Sequence, residues 1–166
     1  MAKDEMHVAT FELRHGGTFD LDKLYAVMRK WYKDRKYFFQ EDVHKFKPPE
    51  LELEWSGTRK ETGYRQAKVN MAFHSWYHKE VKVKKGGKEK TLVDARIQII
   101  LTATMIYDYS ERFNTPVLCA LEKFLKKFVL FYYYMIVWPD RLYYELVDFQ
   151  NKIKEVLDST TARGAF

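Results

Sequence analysis

Among the side chains that could carry chemistry, two histidines flank a tryptophan in one alternating segment: His74, Trp76 and His78. On a helix, a spacing of four residues would bring both histidines to one metal ion. On a strand the same spacing separates them by ~13 Å, which is too far for two ligands of one ion. We therefore interpret the three residues as a partner or ligand surface, and the sequence predicts no metal and no cofactor.

Other reactive residue types have simpler explanations. Glu50, Glu52 and Glu54 alternate with apolar residues, as on the solvated face of a strand. Cys119 lies in an apolar helical segment with no histidine nearby in sequence, so we expect a buried small hydrophobe rather than a catalytic thiol. The sequence contains no complete acid–base, nucleophile or metal set, and a non-enzyme is the favoured class.

His15, Gly16 and Gly17 separate a predicted strand from a predicted helix start. Backbone N–H groups and the helix dipole can hold an anion at such a place, so these residues form a candidate anion loop. Neither a Gly-x-Ser-x-Gly elbow nor a P-loop pattern accompanies them. A plain strand-to-helix turn is the alternative.

The positive charge is concentrated in one short segment. The net charge is +6, and residues 79–90 alone contain six lysines and two glutamates. A polyanion could be contacted by Lys82, Lys84, Lys85, Lys88 and Lys90. Lysines also keep exposed strands from pairing with other chains, so solubility is the alternative role.

The first half of the chain predicts two strands and one helix. His7–Leu13 alternates as a half-buried strand does, and Thr18 or Asp20 can cap a helix that runs to about Phe39. Glu41 and Asp42 are interpreted as the end of that helix. A connector then ends at Pro48-Pro49, and residues 50–55 form a short strand with one wet face.

A long hairpin is the strongest prediction. Two runs of nine consecutive odd positions, one that starts at Ala67 and one that starts at Val93, are occupied mostly by apolar residues. The hairpin arms are predicted at about 67–84 and 88–109. A three-residue loop, Lys85-Gly86-Gly87, would keep both apolar faces together. That register places Trp76 opposite Arg96 and His78 opposite Asp94.

The C-terminal part predicts two helices packed on the sheet. The first begins at Thr115-Pro116 and ends at Pro139, and Asp140 caps the second. Residues 128–138 are uncharged and apolar on every side, so they belong in the core, at an oligomer interface or on a membrane surface. The candidate contact residues in this run are Phe128, Phe131, Tyr132, Tyr133, Tyr134 and Trp138.

Composition limits the class of protein. The chain has 166 residues, 46% of them apolar, and one cysteine, which excludes an internal disulfide framework. We predict a single α+β domain over 1–158 and a flexible tail over 159–166. With no signal-like start and no apolar run long enough to span a bilayer, a cytoplasmic location without a transmembrane segment is expected.

The order strand, helix, long antiparallel sheet and C-terminal helix is similar to that of helix-grip (START-like) proteins, which enclose hydrophobic ligands between sheet and helix. The resemblance implies an intracellular carrier of a hydrophobic small molecule, which we keep as one alternative. The aromatic surplus, 17% of all residues, favours instead a non-catalytic binding or assembly module that forms a homo-oligomer or joins a protein complex. A nucleic-acid-associated protein that uses the lysine-rich hairpin tip is the second alternative.

Overall fold

The computed structural model describes residues 4–85 and 88–161. The strands are β1 (Asp4–Phe19), β2 (Phe38–Lys47), β3 (Glu50–Lys60), β4 (Arg65–Lys85) and β5 (Lys88–Tyr107). The helices are α1 (Leu21–Asp34), α2 (Pro116–Phe124) and α3 (Trp138–Thr161). Two π-helical turns, Leu125–Val129 and Tyr133–Val137, lie between α2 and α3.

All five strands form one antiparallel sheet in the order β1-β5-β4-β3-β2. The predicted α+β class, the long hairpin and the C-terminal helices are confirmed. Since β1 and β2 are opposite edges, α1 crosses one face of the sheet to connect them. α3 packs beside α1 on the same face. We call this the helix-covered face and the other the open face.

Aromatic rings from α1 and α3 meet above the sheet. Trp31 stacks on Phe149 with ring centroids 4.2 Å apart, and both rings are buried. Tyr32 packs edge-on against them, and its hydroxyl donates to the carbonyl oxygen of Val69 in β4 at 3.2 Å. A buried large apolar side chain stabilises a fold by about 1.5–3 kcal/mol. These rings therefore hold both helices on the sheet.

A charged network fixes α3 to β3. Arg59 donates to Glu145 Oε1 at 3.1 Å and to Glu61 Oε1 at 2.8 Å, and the Tyr37 hydroxyl donates to Glu145 Oε2 at 3.0 Å. Glu145 is only 8% exposed. A buried carboxylate is costly unless it is paired and hydrogen-bonded, so these donors determine where α3 can dock.

The N-terminal strand is longer than predicted. The expected loop at His15, Gly16 and Gly17 is wrong, because β1 continues through these residues and pairs with β5 as far as Phe19. Asp20, one of the two predicted caps, caps α1, and its carboxylate accepts from the backbone N–H of Lys23 at 3.1 Å. Pairing with β5 keeps both glycines in the strand, where Gly17 has a positive φ of 120° that other residues rarely adopt.

The helix after β1 is shorter than predicted, and the sheet gains a strand. α1 ends at Asp34 rather than near Phe39, and the next residues form the edge strand β2. Glu41 and Asp42 therefore lie in β2 and not at a helix end. An irregularity in the pairing between Glu41 and Val43 interrupts the alternation of side chains, which is why the sequence pattern conceals this strand.

The hairpin register differs from the prediction near its end. Lys85 pairs with Lys88, so the predicted three-residue loop is wrong, while Gly86 and Gly87 lie outside the described residues. A bulge between Trp76 and Lys79 shifts the register by one residue. Trp76 pairs with Arg96 as predicted, but Asp94 pairs with Lys79 instead of His78.

The shift is tolerated because burial ends close to the bulge, at Val93 of β5. Tyr77 adopts a left-handed backbone conformation in the bulge, with φ of 58°. From Val81 onward the two arms pair only with each other among the described residues, and Val81 and Val83 are exposed. Register is weakly specified where neither face is buried, so a change of register costs little in this part of the hairpin.

The C-terminal helices break at Leu130 rather than at Pro139. The backbone N–H of Leu130 donates to the carbonyl of Leu125, and the second π-helical turn leads directly into α3. Pro139 occupies the first turn of α3, where proline is tolerated because it lacks only an N–H that has no intrahelical partner. α3 extends to Thr161, and residues 162–166, the rest of the predicted tail, lie outside the described residues. Within the described ranges, no helix is long and apolar enough to cross a bilayer.

Gly57 on β3 has no room for a side chain. An added Cβ would lie 2.4 Å from Cε1 of Tyr32, and that ring is fully buried. We predict that Gly57→Ala lowers the free energy of unfolding by about 1–3 kcal/mol, the usual cost of overpacking. Urea unfolding measures this change.

Gly16→Ala is the matched control. A Cβ at Gly16 would come no nearer than 3.9 Å to Cγ of Arg96. We expect a change within about 0.5 kcal/mol, as for an ordinary surface substitution. Equal losses of stability in the two variants would contradict the close packing of Tyr32 against Gly57.

Candidate functional site

The segment from residue 117 to residue 137, called here the aromatic segment, is at least partly exposed at every position. Of the three predicted placements of the 128–138 run, burial in the core is wrong for most of it. Phe128 is 66% exposed and Tyr132 60%. The large apolar residues that are exposed in this segment are Val117, Leu118, Leu121, Phe124, Phe128, Val129, Phe131, Tyr132, Tyr133, Met135, Ile136 and Val137.

Two charged side chains of this segment point toward the body of the protein. Lys126 Nζ lies 2.6 Å from Asp4 Oδ2 and 2.7 Å from Glu122 Oε1. Glu122 also accepts from the Tyr64 hydroxyl at 2.5 Å, and Asp4 accepts from the Tyr134 hydroxyl at 2.8 Å. The segment is thus attached to β1 and to the start of β4 by polar contacts.

Three tyrosine rings surround the ammonium group of Lys126. Its Nζ lies 5.2 Å from the ring centroid of Tyr134 and 5.8 Å from those of Tyr64 and Tyr107. Burial alone would lower the pKa of Lys126, but the hydrogen bonds to Asp4 and Glu122 raise it above its ordinary value. Lys126 therefore stays charged over a wide pH range. In the same cluster, burial raises the pKa of Tyr107 to about 12.

The polarity of the aromatic segment is the reverse of that of an ordinary surface helix, which turns its apolar stripe inward. Glu122 and Lys126 face the body, whereas Phe124, Phe128 and Phe131 face outward. The described charged residues that are exposed in this segment are Lys123 and Lys127. The outer surface is consequently apolar.

Two of the predicted contact residues have a structural role instead. The Tyr134 ring lies 4.2 Å from that of Tyr107, and Trp138 lies beneath the guanidinium of Arg65 at 4.4 Å. Both are half-buried against the core. Phe128, Phe131, Tyr132 and Tyr133 remain on the outer surface.

The predicted surface on β4 is divided by the bulge. The rings of His74 and Trp76 pack together on the open face, with centroids 4.0 Å apart. His78 lies in the bulge, where its ring contacts Phe46 and its backbone N–H donates to the carbonyl of Pro49. The three residues therefore do not form one continuous surface.

His74 has instead acidic neighbours that the sequence analysis did not associate with it. Its Nε2 lies 3.8 Å from Glu50 Oε2 and 3.8 Å from Glu52 Oε1. One ligand atom from each residue falls within 4.8 Å of the other two. The sequence places the glutamates on one strand and the histidine on another. Only the β3–β4 register, which pairs Glu52 with His74, links them.

The predicted anion loop becomes part of an open cavity on the sheet. Arg14, Gly16, Trp76 and Arg96 are among the residues that line this cavity of about 670 Å³. Arg14 forms an ion pair with Glu12, with 2.5 Å between Arg14 Nε and Glu12 Oε1. These glycines are strand residues, so the helix dipole does not act at them.

The lysine-rich hairpin tip is partly neutralised. Lys84 lies 3.7 Å from Glu89, and Lys90 lies 2.6 Å from Asp20, the cap of α1. Although burial would raise it, the contacts with Lys90 and with the backbone of Lys23 lower the pKa of Asp20. The side chains of Lys85 and Lys88 lie outside the described residues, and Lys82 is exposed.

Cys119 is half-buried rather than buried as predicted. Its thiol donates to the carbonyl of Phe113 at 2.8 Å. The residue is one of those that line an open cavity of about 480 Å³ beside Lys126. Its thiol is thus engaged by the backbone.

We predict that Lys126→Met lowers the free energy of unfolding by about 1–3 kcal/mol, because Asp4 and Glu122 would lose their shared cation. The aromatic segment should also be cleaved faster in limited proteolysis. Urea unfolding and mass mapping of the fragments measure the two effects.

Lys123→Met is the matched control, since Lys123 is exposed and forms no ion pair within residues 4–85 and 88–161. We expect it to change stability by no more than about 0.5 kcal/mol. If the two variants unfolded at the same urea concentration, Lys126 would not attach the segment.

Comparison with known proteins places the chain in no family. No family model matches it, and no curated protein does. Among solved structures, an uncharacterized protein from Rhizobium leguminosarum aligns with 93% of this chain and 99% of its own, at 6% identity and a TM-score of 0.22. A TM-score this low carries no argument, so function must be argued from the residues themselves.

Proposed function

We propose that this protein is a non-catalytic assembly module that pairs with a second copy of itself through the aromatic segment. The observation that supports this most is the reversed polarity of the segment. Glu122 and Lys126 satisfy each other against the body, while Phe124, Phe128 and Phe131 face outward. Exposed apolar surface of this kind is the usual mark of an interaction site.

The exposed area is sufficient for a stable dimer. The segment contains twelve large apolar residues with exposures from 36% to 78%. At about half of the ~200 Å² of an aromatic side chain, the five aromatic residues offer on the order of 500 Å². The seven aliphatic residues, at about half of ~100 Å² each, add on the order of 350 Å². A standard interface takes about 800 Å² from each partner, and the largest patch on a typical monomer is about 300–600 Å².

The composition of the surface suits a protein partner. Interface cores are enriched in tyrosine, phenylalanine and methionine and depleted of charge. Phe131, Tyr132 and Met135 are exposed close to the break at Leu130. A two-fold axis near that break would let the same patch of each copy cover that of the other, as an isologous interface requires.

The other functions receive less support. A carrier needs an enclosed apolar cavity, but Trp31, Tyr32 and Phe149 fill the space between helices and sheet, and the cavities described above are open to solvent. A polyanion would compete with Glu89 and Asp20 for the hairpin lysines. Membrane-surface association would use the same aromatic segment, and binding to lipid vesicles distinguishes it from self-association.

Self-association is tested by sedimentation equilibrium over about 1–100 µM protein. We expect the wild type to have twice the chain mass of 20.0 kDa. The double variant F128E/F131E should be monomeric or dissociate at least ~100-fold more readily, since truncating a central aromatic residue often costs 2 kcal/mol or more. Both substitutions are at exposed positions, so the fold should persist, as urea unfolding would show.

Phe38→Glu is the matched control. Phe38 is 67% exposed on β2, outside the aromatic segment. Its substitution should leave the association constant unchanged. A wild type that stays monomeric throughout the concentration range would overturn the proposal. If that monomer bound phosphatidylglycerol vesicles and F128E/F131E did not, the segment would be a membrane-surface site instead.

A further inference from the structure

The open face of the sheet brings two carboxylates and an imidazole together. Glu50 and Glu52 are two residues apart on β3, so their side chains project from the same face. Glu52 pairs directly with His74 on β4. Regular backbone on two paired strands therefore supplies all three groups, and no loop is needed to assemble them.

The imidazole nitrogen that faces the carboxylates has no hydrogen-bond partner among the described residues. His74 Nε2 is enclosed, although 31% of the side chain is exposed. Its distance of 3.8 Å to each of Glu50 and Glu52 is longer than a hydrogen bond. Enclosed polar atoms without a partner are uncommon in native structures. This nitrogen is one of several such atoms in the described residues, and it faces two carboxylates that could share a ligand with it.

From this geometry we propose that Glu50, Glu52 and His74 bind one divalent transition-metal ion, of which Zn²⁺ is the representative. Histidine nitrogen and carboxylate oxygen are established zinc ligands at about 2.0–2.2 Å, which places neighbouring ligand atoms about 3.4 Å apart in a tetrahedron. The observed 3.8 Å distances need to shorten by only a few tenths of an ångström. Glutamate side chains, here about half exposed, can make that movement.

The charges around the site favour a cation. Glu50 and Glu52 are both acidic and lie side by side on one strand. The residues that pair with them from β2 are Lys47 and Lys45, but neither lysine forms an ion pair with any residue that the structure describes. A divalent ion bound between the two carboxylates and His74 would neutralise both negative charges.

Neighbouring residues hold the histidine in place and leave room for more ligands. The Trp76 ring packs on the imidazole at 4.0 Å and restricts its orientation, as the packing around a metal ligand commonly does. Glu50 and Glu52 are 52% and 48% exposed on the solvent side. Water would complete the coordination there, as at zinc sites that have three protein ligands.

Isothermal titration calorimetry of the full chain with ZnCl₂ tests the site. We expect one saturable site with a micromolar dissociation constant in the wild type. His74→Ala and the nearly isosteric Glu52→Gln should each weaken binding at least 10-fold. Because Glu52→Gln preserves size and the site is on the surface, loss of binding in that variant cannot be attributed to unfolding, which urea unfolding would verify.

His44→Ala is the matched control, since His44 also lies beside an acidic residue, with Nδ1 2.9 Å from Glu41 Oε1 on β2. This variant should bind Zn²⁺ as the wild type does. An equal loss in His44→Ala and His74→Ala, or no saturable binding at 1 mM ZnCl₂, would overturn the proposal. The result is independent of self-association, because the aromatic segment and this site lie on different elements.

Trp76 supplies a second readout. A Cu²⁺ or Co²⁺ ion bound to His74 would quench the fluorescence of Trp76, whose ring lies 4.0 Å from the imidazole. Saturable quenching should be absent in His74→Ala and strongly reduced in Trp76→Phe, which retains the ligands. Equal quenching in the wild type and Trp76→Phe would mean that the ion binds elsewhere.

Discussion

The stacking of Trp31 on Phe149 joins α1 to α3, and the position of both candidate sites depends on it. Together with the buried Glu145 and Arg59 pair, this contact commits α3 to the helix-covered face. Two helices then occupy that face, and α2 has no place there. The segment that precedes α3 must lie outside the core, attached through Asp4 and Lys126.

The same packing leaves the two faces of the sheet with different chemistry. Because the helix-covered face is filled by aromatic and aliphatic side chains, it offers no site for a polar ligand. The open face faces water, so charged side chains can be placed there at little cost, and alternation along β3 puts Glu50 and Glu52 on it together. The proposed apolar contact and the proposed metal site therefore use separate parts of the molecule.

Local pattern predicted the fold well where burial enforces it. The alternation along β3, β4 and β5 is regular because Leu53, Met71 and Ile99 all face the core. Prediction failed where burial does not constrain the chain. The edge strand β2 has a bulge near Glu41, and the hairpin changes register at Tyr77, close to the end of the buried part of the hairpin. Glycine at positions 16 and 17 indicated a loop, although pairing with β5 can hold glycines in a strand as well.

Local pattern predicted the apolar run of the aromatic segment but not its exposure, and it did not link His74 with Glu50 and Glu52, for the same physical reason. Hydrophobicity alone predicts that a segment such as Phe128–Trp138 is covered, but not whether its own chain covers it. The orientation is decided by Lys126, whose partner Asp4 lies at the other end of the sequence. Likewise His74 meets Glu52 only through the β3–β4 register. Hydrophobic periodicity reports which residues are buried, whereas a site on the surface depends on which polar groups the register and the long-range ion pairs bring together.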